Sequence, residues 1–241
     1  MPFEIAARTD TGRMRDVNED AVYTSTGDDW GLVAVADGMG GHAAGEIASE
    51  AALEAFAEFV EPRLADGAHN IAGVLTSGVT AANDRLQAMI EEDQSLSGMG
   101  TTLVAAVIED GVATLVNVGD SRAYHQTDDA IEQVTVDQSL VQKLVEQGEI
   151  TPEEADSHPQ RNVVSQALGT TESVDPDTYR QPINKRLLLC SDGLPEEVSE
   201  RSIYEIIDSQ DDLKSIANAL IEQANTNGGS DNITVVICES P

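Results

Sequence analysis

Short apolar runs along this chain give way to longer stretches in which apolar residues return every three or four positions. Runs at Phe3–Ala7, Ala21–Thr24 and Gly31–Ala36 predict strands. From about Ala44 the period changes, and Ile47, Ala48, Ala51, Ala52, Ala55, Phe56 and Phe59 share a helical spacing. A second helix is predicted over Ile71–Ile90, with Leu75, Val79, Ala82, Leu86 and Met89 on one face. Strand patterns return at Thr101–Ile108, Val112–Val118 and Arg122–His125. The turn signals Glu109-Asp110-Gly111 and Gly119-Asp120-Ser121 divide them.

Gln138–Gln147 reads as a helix stopped at Gly148. A polar stretch then runs to Asn162, with Pro152 and Pro159 as breakers. Arg186–Cys190 is a strand, and Ser202–Ile207 and Asp211–Asn225 are helices. The second of these carries Leu213, Ile216, Ala217, Leu220 and Ile221 inward and stops at Asn227-Gly228-Gly229. Ile233–Cys238 is the last strand. Helices thus come in pairs between groups of strands, which favours helix-covered sheets over a regular βαβ repeat. With no internal repeat or long linker, residues 1–241 are expected to form a single domain.

Composition sharpens this picture. Aromatics make up 3%, so the core must rest on Val, Ile, Leu and Ala. Asp and Glu number 44 against 13 Lys and Arg, a formal charge of −31. Such a field repels nucleic acid and anionic membrane surfaces. Glu46, Glu50, Glu54 and Glu58 stand four apart on the first helix, a spacing that destabilises an isolated helix at low salt. A salt-rich cytoplasm would screen that repulsion, and an ordinary solvated acidic face is the alternative. The N-terminus carries Glu4 and Asp10 and no long apolar stretch, and the apolar runs are of strand length. A soluble cytoplasmic protein is expected. Cys190 and Cys238 lie in apolar runs and read as inert core thiols.

The positions of the aspartates are the informative feature. Val33-Ala34-Val35-Ala36 runs into Asp37-Gly38, Leu187-Leu188-Leu189-Cys190 into Ser191-Asp192-Gly193, and Val116-Asn117-Val118-Gly119 into Asp120. Asp231-Asn232 opens the last strand, and Glu19-Asp20 precedes an early one. A single Asp-Gly step is usually just a turn. Several carboxylates converging at one sheet edge repel each other and call for cations. Mg²⁺ and Mn²⁺ favour such all-oxygen surroundings. The glycine beside the acid lets a carbonyl or a substrate approach closely.

The order and local context of these sites resemble the protein phosphatase 2C family of metal-dependent serine/threonine phosphatases, and its compact bacterial type in particular. The matching segments are Thr9-Asp10-Thr11-Gly12, Arg15 with Asn18-Glu19-Asp20, Asp37-Gly38-Met39-Gly40-Gly41-His42, and Met99-Gly100-Thr101-Thr102. They continue with Gly119-Asp120-Ser121-Arg122, His158-Pro159, Ser191-Asp192-Gly193-Leu194 and Gly229-Ser230-Asp231-Asn232. The resemblance implies an α+β fold, a four-layer α-β-β-α sandwich of two antiparallel sheets flanked by helices. It also implies hydrolysis of phosphoserine and phosphothreonine by direct attack of a metal-bridging hydroxide.

Carried over residue by residue, the resemblance makes Asp37 the carboxylate bridging two Mn²⁺ or Mg²⁺ ions, with Asp192 and Asp231 completing the first ion's acids. The carbonyl of Gly38 serves the second ion, and Glu19 and Asp20 act near it largely through water. Asp120, with Asp192, would hold a third, weaker ion. Arg15 would grip phosphate oxygens through its planar fork. The family's animal members carry a histidine directly after Asp-Gly where this chain has Met39, which leaves the general acid open between His42 and a water. Asp137–Asn162 corresponds to a flap beside the site, where His158 and Arg161 are candidates to touch a phosphopeptide and loop anchoring is the alternative. Expected partners are phosphoproteins opposed by a serine/threonine kinase, with no nucleic acid or membrane, and a monomer as default. The competing readings are a noncatalytic metal-binding module of the same fold, a phosphatase in a partner-switching pathway, and nucleotide binding at Gly38–Gly41. The last lacks the Lys-Ser/Thr that a phosphate loop of the P-loop type requires.

Overall fold

A computed structural model describes residues 3–40, 44–156, 158–210 and 212–239. The chain opens with strands β1 (Glu4–Asp10), β2 (Asp20–Thr26) and β3 (Trp30–Met39), then helices α1 (Ala44–Ala65) and α2 (Ile71–Glu92). Strands β4 (Gly100–Thr101), β5 (Leu103–Glu109), β6 (Val112–Val118), β7 (Arg122–Gln126) and β8 (Ile131–Gln133) follow. Two short helices, α3 (Leu140–Glu146) and α4 (Pro152–Asp156), precede β9 (Asp177–Pro182) and β10 (Arg186–Cys190). Helices α5 (Glu200–Asp208) and α6 (Leu213–Asn227) lead to β11 (Ile233–Glu239).

The strands form two antiparallel sheets, ordered β1-β11-β10-β7-β8 and β2-β3-β5-β6-β9, with β4 beside β3. Side chains alternate across a strand, so each central strand serves two cores. Leu32, Ala34 and Ala36 of β3 pack beneath α1 and α2 with Phe56, Leu75 and Leu86. Val33 and Val35 of the same strand turn the other way and meet Leu187, Leu189 and Val236 of the opposite sheet. Leu188 and Cys190 of β10 face α5 and α6. The layers are therefore helix pair, sheet, sheet, helix pair, as expected. Burial on both faces explains why β3, β5 and β10 are apolar without a polar beat. Cys190 and Cys238 are buried free thiols.

Strands β8 and β9 and helix α4 are additions to the sequence expectation. β8 and β9 are edge strands, and β9 carries Asp177, Arg180 and a terminal Pro182, the polar dress edges often wear. Pro152, expected as a breaker, begins α4, where its missing N–H costs nothing. Thr151 caps that turn: its Oγ1 accepts from Glu154 N, and its own N donates to Glu154 Oε2 at 2.8 Å. Ile47, aligned with the apolar face of α1, is instead exposed.

Candidate active site

Both sheets deliver acids to one end. Asp37 lies near the end of β3, Asp20 opens β2, and the two are register partners across that ladder. Asp192 follows β10 and Asp231 precedes β11. These strands run antiparallel, so the end of one meets the start of the other. Asp120 lies between β6 and β7, where the chain passes from one sheet to the other.

The backbone is packed so closely here that some positions exclude a side chain. A Cβ on Gly38 would lie 2.1 Å from the Gly45 carbonyl oxygen and 2.4 Å from that of Glu19. One on Gly193 would lie 2.0 Å from the Asn232 carbonyl oxygen. Short polar side chains then fix the acids. Thr102 Oγ1 accepts from Asp37 N at 3.0 Å and shares a 2.7 Å hydrogen bond with Ser121 Oγ. Ser191 Oγ donates to Asp20 Oδ2 at 2.7 Å and accepts from Thr234 N at 3.0 Å. Asn232 anchors the β1–β2 loop: its Oδ1 accepts from Glu19 N, and its Nδ2 donates to the carbonyls of Thr11 and Val17. That loop presents Arg15, whose Nη2 donates to Asp231 Oδ2 at 2.6 Å.

Crowding and burial set the charge states. Burial, reinforced by neighbouring carboxylates, pushes Asp120 up to about 7 and Asp192 to about 6. Asp20 also rises to about 7, chiefly through burial, although hydrogen bonds from Thr234 and Ser191 pull it part of the way back. Asp37 is held well above the ordinary carboxylate range by burial and by Asp20, Asp192 and Asp120. Burial raises Glu19 as well. The one guanidinium packed behind the cluster, Arg122, is clasped by Asp137, with Nη2 to Oδ2 at 2.6 Å, and also reaches Tyr124 Oη.

Two buried carboxylate oxygens bear on whether the cluster suits cations. Among the described residues Asp192 lies against the carboxyl of Asp37 and Glu19 against the backbone of Gly45, while the buried Asp192 Oδ1 and Glu19 Oε1 make no well-formed hydrogen bond. A buried carboxylate oxygen in that state fits a cation. Among the described residues no group of three or more His, Cys, Asp or Glu is arranged so that it could hold a metal ion as it stands. The cluster is open, with Asp231 turned to Arg15 and Asp20 to Ser191.

A groove of about 730 Å³ leads from Asp120 and Asp192 under the segment holding α3 and α4. Arg161 lines it, 3.9 Å from Glu196. His158 is used locally, its Nδ1 accepting from Gln160 N. His42 lies outside the described residues. The sequence reading did not single out Thr102, Ser121, Ser191, Asn232 or Thr234 for these contacts. Their signal was adjacency, since all but Thr234 fall inside the quoted motifs and Thr234 is two residues beyond one. Asp137 and Glu196 had no such signal.

Residues 12–234 match the family described as Protein phosphatase 2C. The chain belongs to the protein phosphatase 2C family. Among curated relatives of this phosphatase family, the serine/threonine protein phosphatase PstP of Mycobacterium tuberculosis is 43% identical over 236 residues. That match covers 97% of this chain and 44% of PstP, so the chain spans less than half of that relative's length. The serine/threonine phosphatase stp of Listeria monocytogenes is 41% identical over 237 residues, covering 96% of this chain and 94% of that protein. A crystal structure of the PstP catalytic domain in complex with two manganese ions superposes with a TM-score of 0.86 at 39% identity, covering 99% of this chain and 98% of that one.

Proposed function

We propose that this chain is a metal-dependent protein phosphatase that hydrolyses phosphoserine and phosphothreonine in proteins, using Mn²⁺ or Mg²⁺. The observation that carries the reading is the convergence of five aspartates from both sheets into one cluster of mutually interacting carboxyls. Asp37 would be shared between two ions, with Asp192 and Asp231 on one side and the Gly38 carbonyl, Glu19 and Asp20 toward the other. Asp120 with Asp192 would take a third. When bound, such ions supply a water acidic enough to attack phosphorus near neutral pH.

The rest falls to side chains. Thr102 and Ser191 hold Asp37 and Asp20 in place, and Arg15 at the mouth exchanges Asp231 for phosphate oxygens, a task its fork suits. Met39 has no proton to give a leaving alkoxide, so that proton comes from solvent or another group. Phosphoproteins made by a serine/threonine kinase are the matching substrates, and the catalytic unit spans the described chain as a monomer. No helix among the described residues is long and apolar enough to cross a membrane. The acid excess suits the cytoplasm of a salt-adapted cell.

Hydrolysis of a phosphothreonine peptide with added Mn²⁺, compared with EDTA and with Asp192→Asn at low and high KCl, tests this. Turnover that needs metal and is lost in the variant is expected. Folded, metal-loaded protein without turnover at any salt would overturn it in favour of a noncatalytic binding module.

A further inference from the structure

The turn formed by residues 228–232 meets the acid centre at several points. Gly229 O accepts from Arg13 N at 2.7 Å and from Met14 N at 3.2 Å, just before Arg15. Asp231 Oδ2 takes the Arg15 guanidinium, and the Asn232 side chain holds the backbone of Thr11, Val17 and Glu19. The β1–β2 loop lies so close that a Cβ on Gly12 would be 2.1 Å from the Asp231 carbonyl oxygen. A shift of this turn therefore moves Asp231 and carries Arg15 with it.

Two further contacts fix the turn itself. One is the end of α6, where Gly228 N and Gly229 N both donate to Ala224 O. The other is Glu197. Its Oε1 accepts from Ser230 N at 3.0 Å, and its carbonyl accepts from Asn227 Nδ2 at 2.7 Å. Its carboxylate lies against the Gly228 backbone, where a Cβ would be 2.8 Å from Oε2. Charge alone disfavours an anion here, at the C-terminal end of α6 and beside the residue preceding Asp231. What a carboxylate supplies in return is a strong acceptor for the Ser230 N–H. Glu197 also belongs to the stretch that follows Asp192, knitted by bonds from Glu196 N to Asp192 O and from Val198 N to Leu194 O. It thus joins the loop of Asp192 to the turn of Asp231.

We propose that Glu197 is a positioning residue: by accepting the Ser230 N–H it sets Asp231 relative to Asp192, and so sets how tightly these two acids hold the cation they share. Glu197 itself touches neither cation nor substrate. This inference rests on the metal-dependent reading of the site.

The test is the Kd for Mn²⁺, read from the paramagnetic resonance of the free ion. It is measured in 1 M KCl, where a screening length of about 3 Å suppresses the direct effect of a lost charge. In Glu197→Ala the Kd is expected to rise fivefold to tenfold, about the low end of what loss of outer-shell support costs a metal site. Glu197→Gln keeps an acceptor oxygen in place and should stay within about twofold of the unaltered protein. Ser230→Pro removes the donor instead and should match Glu197→Ala. The double variant should bind no more weakly than either single one, because all three lack the same contact. Urea midpoints of the metal-free proteins show which variants are folded. The two variants break the bond from opposite sides, so either one, folded, decides. A Kd within about twofold in a folded Glu197→Ala or Ser230→Pro overturns the positioning role, and so does a Glu197→Gln loss as large as that of Glu197→Ala. Unaltered protein that binds no Mn²⁺ overturns both this role and the metal centre. The expected Kd pattern without turnover of para-nitrophenyl phosphate would keep the role of Glu197 and overturn the phosphatase reading.

Discussion

The acid centre and the α3–α4 wall of the groove beside it are neighbours built in opposite ways. The centre hangs on strand ends of two sheets: Thr102 and Asn232 accept from the backbone N–H groups of Asp37 and Glu19 at 3.0 and 2.8 Å, and Ser191 donates to the Asp20 carboxylate at 2.7 Å. The wall is two short helices on a base hydrogen-bonded from Leu140 N to Val163 O and from Ser165 N to Gln138 O, and its residues are mostly half-buried or exposed. Holding several like charges together requires an over-determined frame, because each acid would otherwise swing to solvent. Stability is thus concentrated where the charge is.

Matched glycine substitutions break that contrast most strongly. Gly193→Ala would place a Cβ 2.0 Å from the Asn232 carbonyl oxygen, and backbone cannot yield as a side chain does. A loss of roughly 3 kcal/mol or more is expected, at the upper end for overpacking. Gly148→Ala, at φ +72° in the segment between α3 and α4, meets nothing within 4 Å and pays only for its left-handed backbone. About 1 kcal/mol is expected there. Urea melts of the two variants measure both values, and equal losses would erase the distinction between frame and wall.

Charge in the centre gives a second, smaller effect whose sign follows from the raised carboxyls. Asp20 and Asp120 at about 7 and Asp192 at about 6 keep protons in the folded protein that the unfolded chain, titrating near about 3.9, has already released. Their unfavourable contribution is absent below the unfolded pKa, grows through the interval above it, and is complete above about 7. Metal-free protein should therefore melt higher at pH 5.5 than at pH 7.5. Saturating Mn²⁺ should reverse the order, adding about 2.7 kcal/mol at a hundredfold excess over its Kd. Asp120→Asn, which removes one of these acids, should flatten the metal-free slope. An unchanged slope would assign the pH dependence to the surface acids instead.

How far the sequence reached follows the same division. The strands β3, β6 and β10 are legible as short apolar runs bounded by turn residues, and both long helices because burial of one face imposes a helical period. The acids were legible because each follows or precedes such a run, next to glycine or within a quoted motif. β9 was not, because an edge strand with Asp177, Arg180 and Pro182 has no apolar beat. The groove was not legible either. Val141, Val145, Pro152 and Ala155 line one groove only once the segment's base is hydrogen-bonded, and no local pattern announces that. Asp137, the first residue of the expected flap, is the partner of Arg122 through a contact fifteen residues apart in sequence.

The smallest expected effect concerns acids outside both regions. Glu46, Glu50, Glu54 and Glu58 all lie exposed along α1, as their spacing requires, and none makes an ion pair among the described residues. Each like-charged pair at this spacing costs about 0.2–0.5 kcal/mol at low salt. Glu54→Lys turns the pairs with Glu50 and Glu58 from repulsive to attractive, so it should raise stability by about 1 kcal/mol in dilute buffer. In 2 M KCl the screening length falls below about 3 Å, shorter than the spacing of the charges, and the gain should vanish. The unaltered protein should itself gain stability between those salts, while the acid centre, buried and largely shielded from the ions of the solution, should not share in that gain. Urea melts of both proteins at the two salts decide the matter. A Glu54→Lys gain that persists in 2 M KCl would mean that the substitution acts through helix propensity or packing, and the acidic face of α1 would then need no salt-rich cell to explain it.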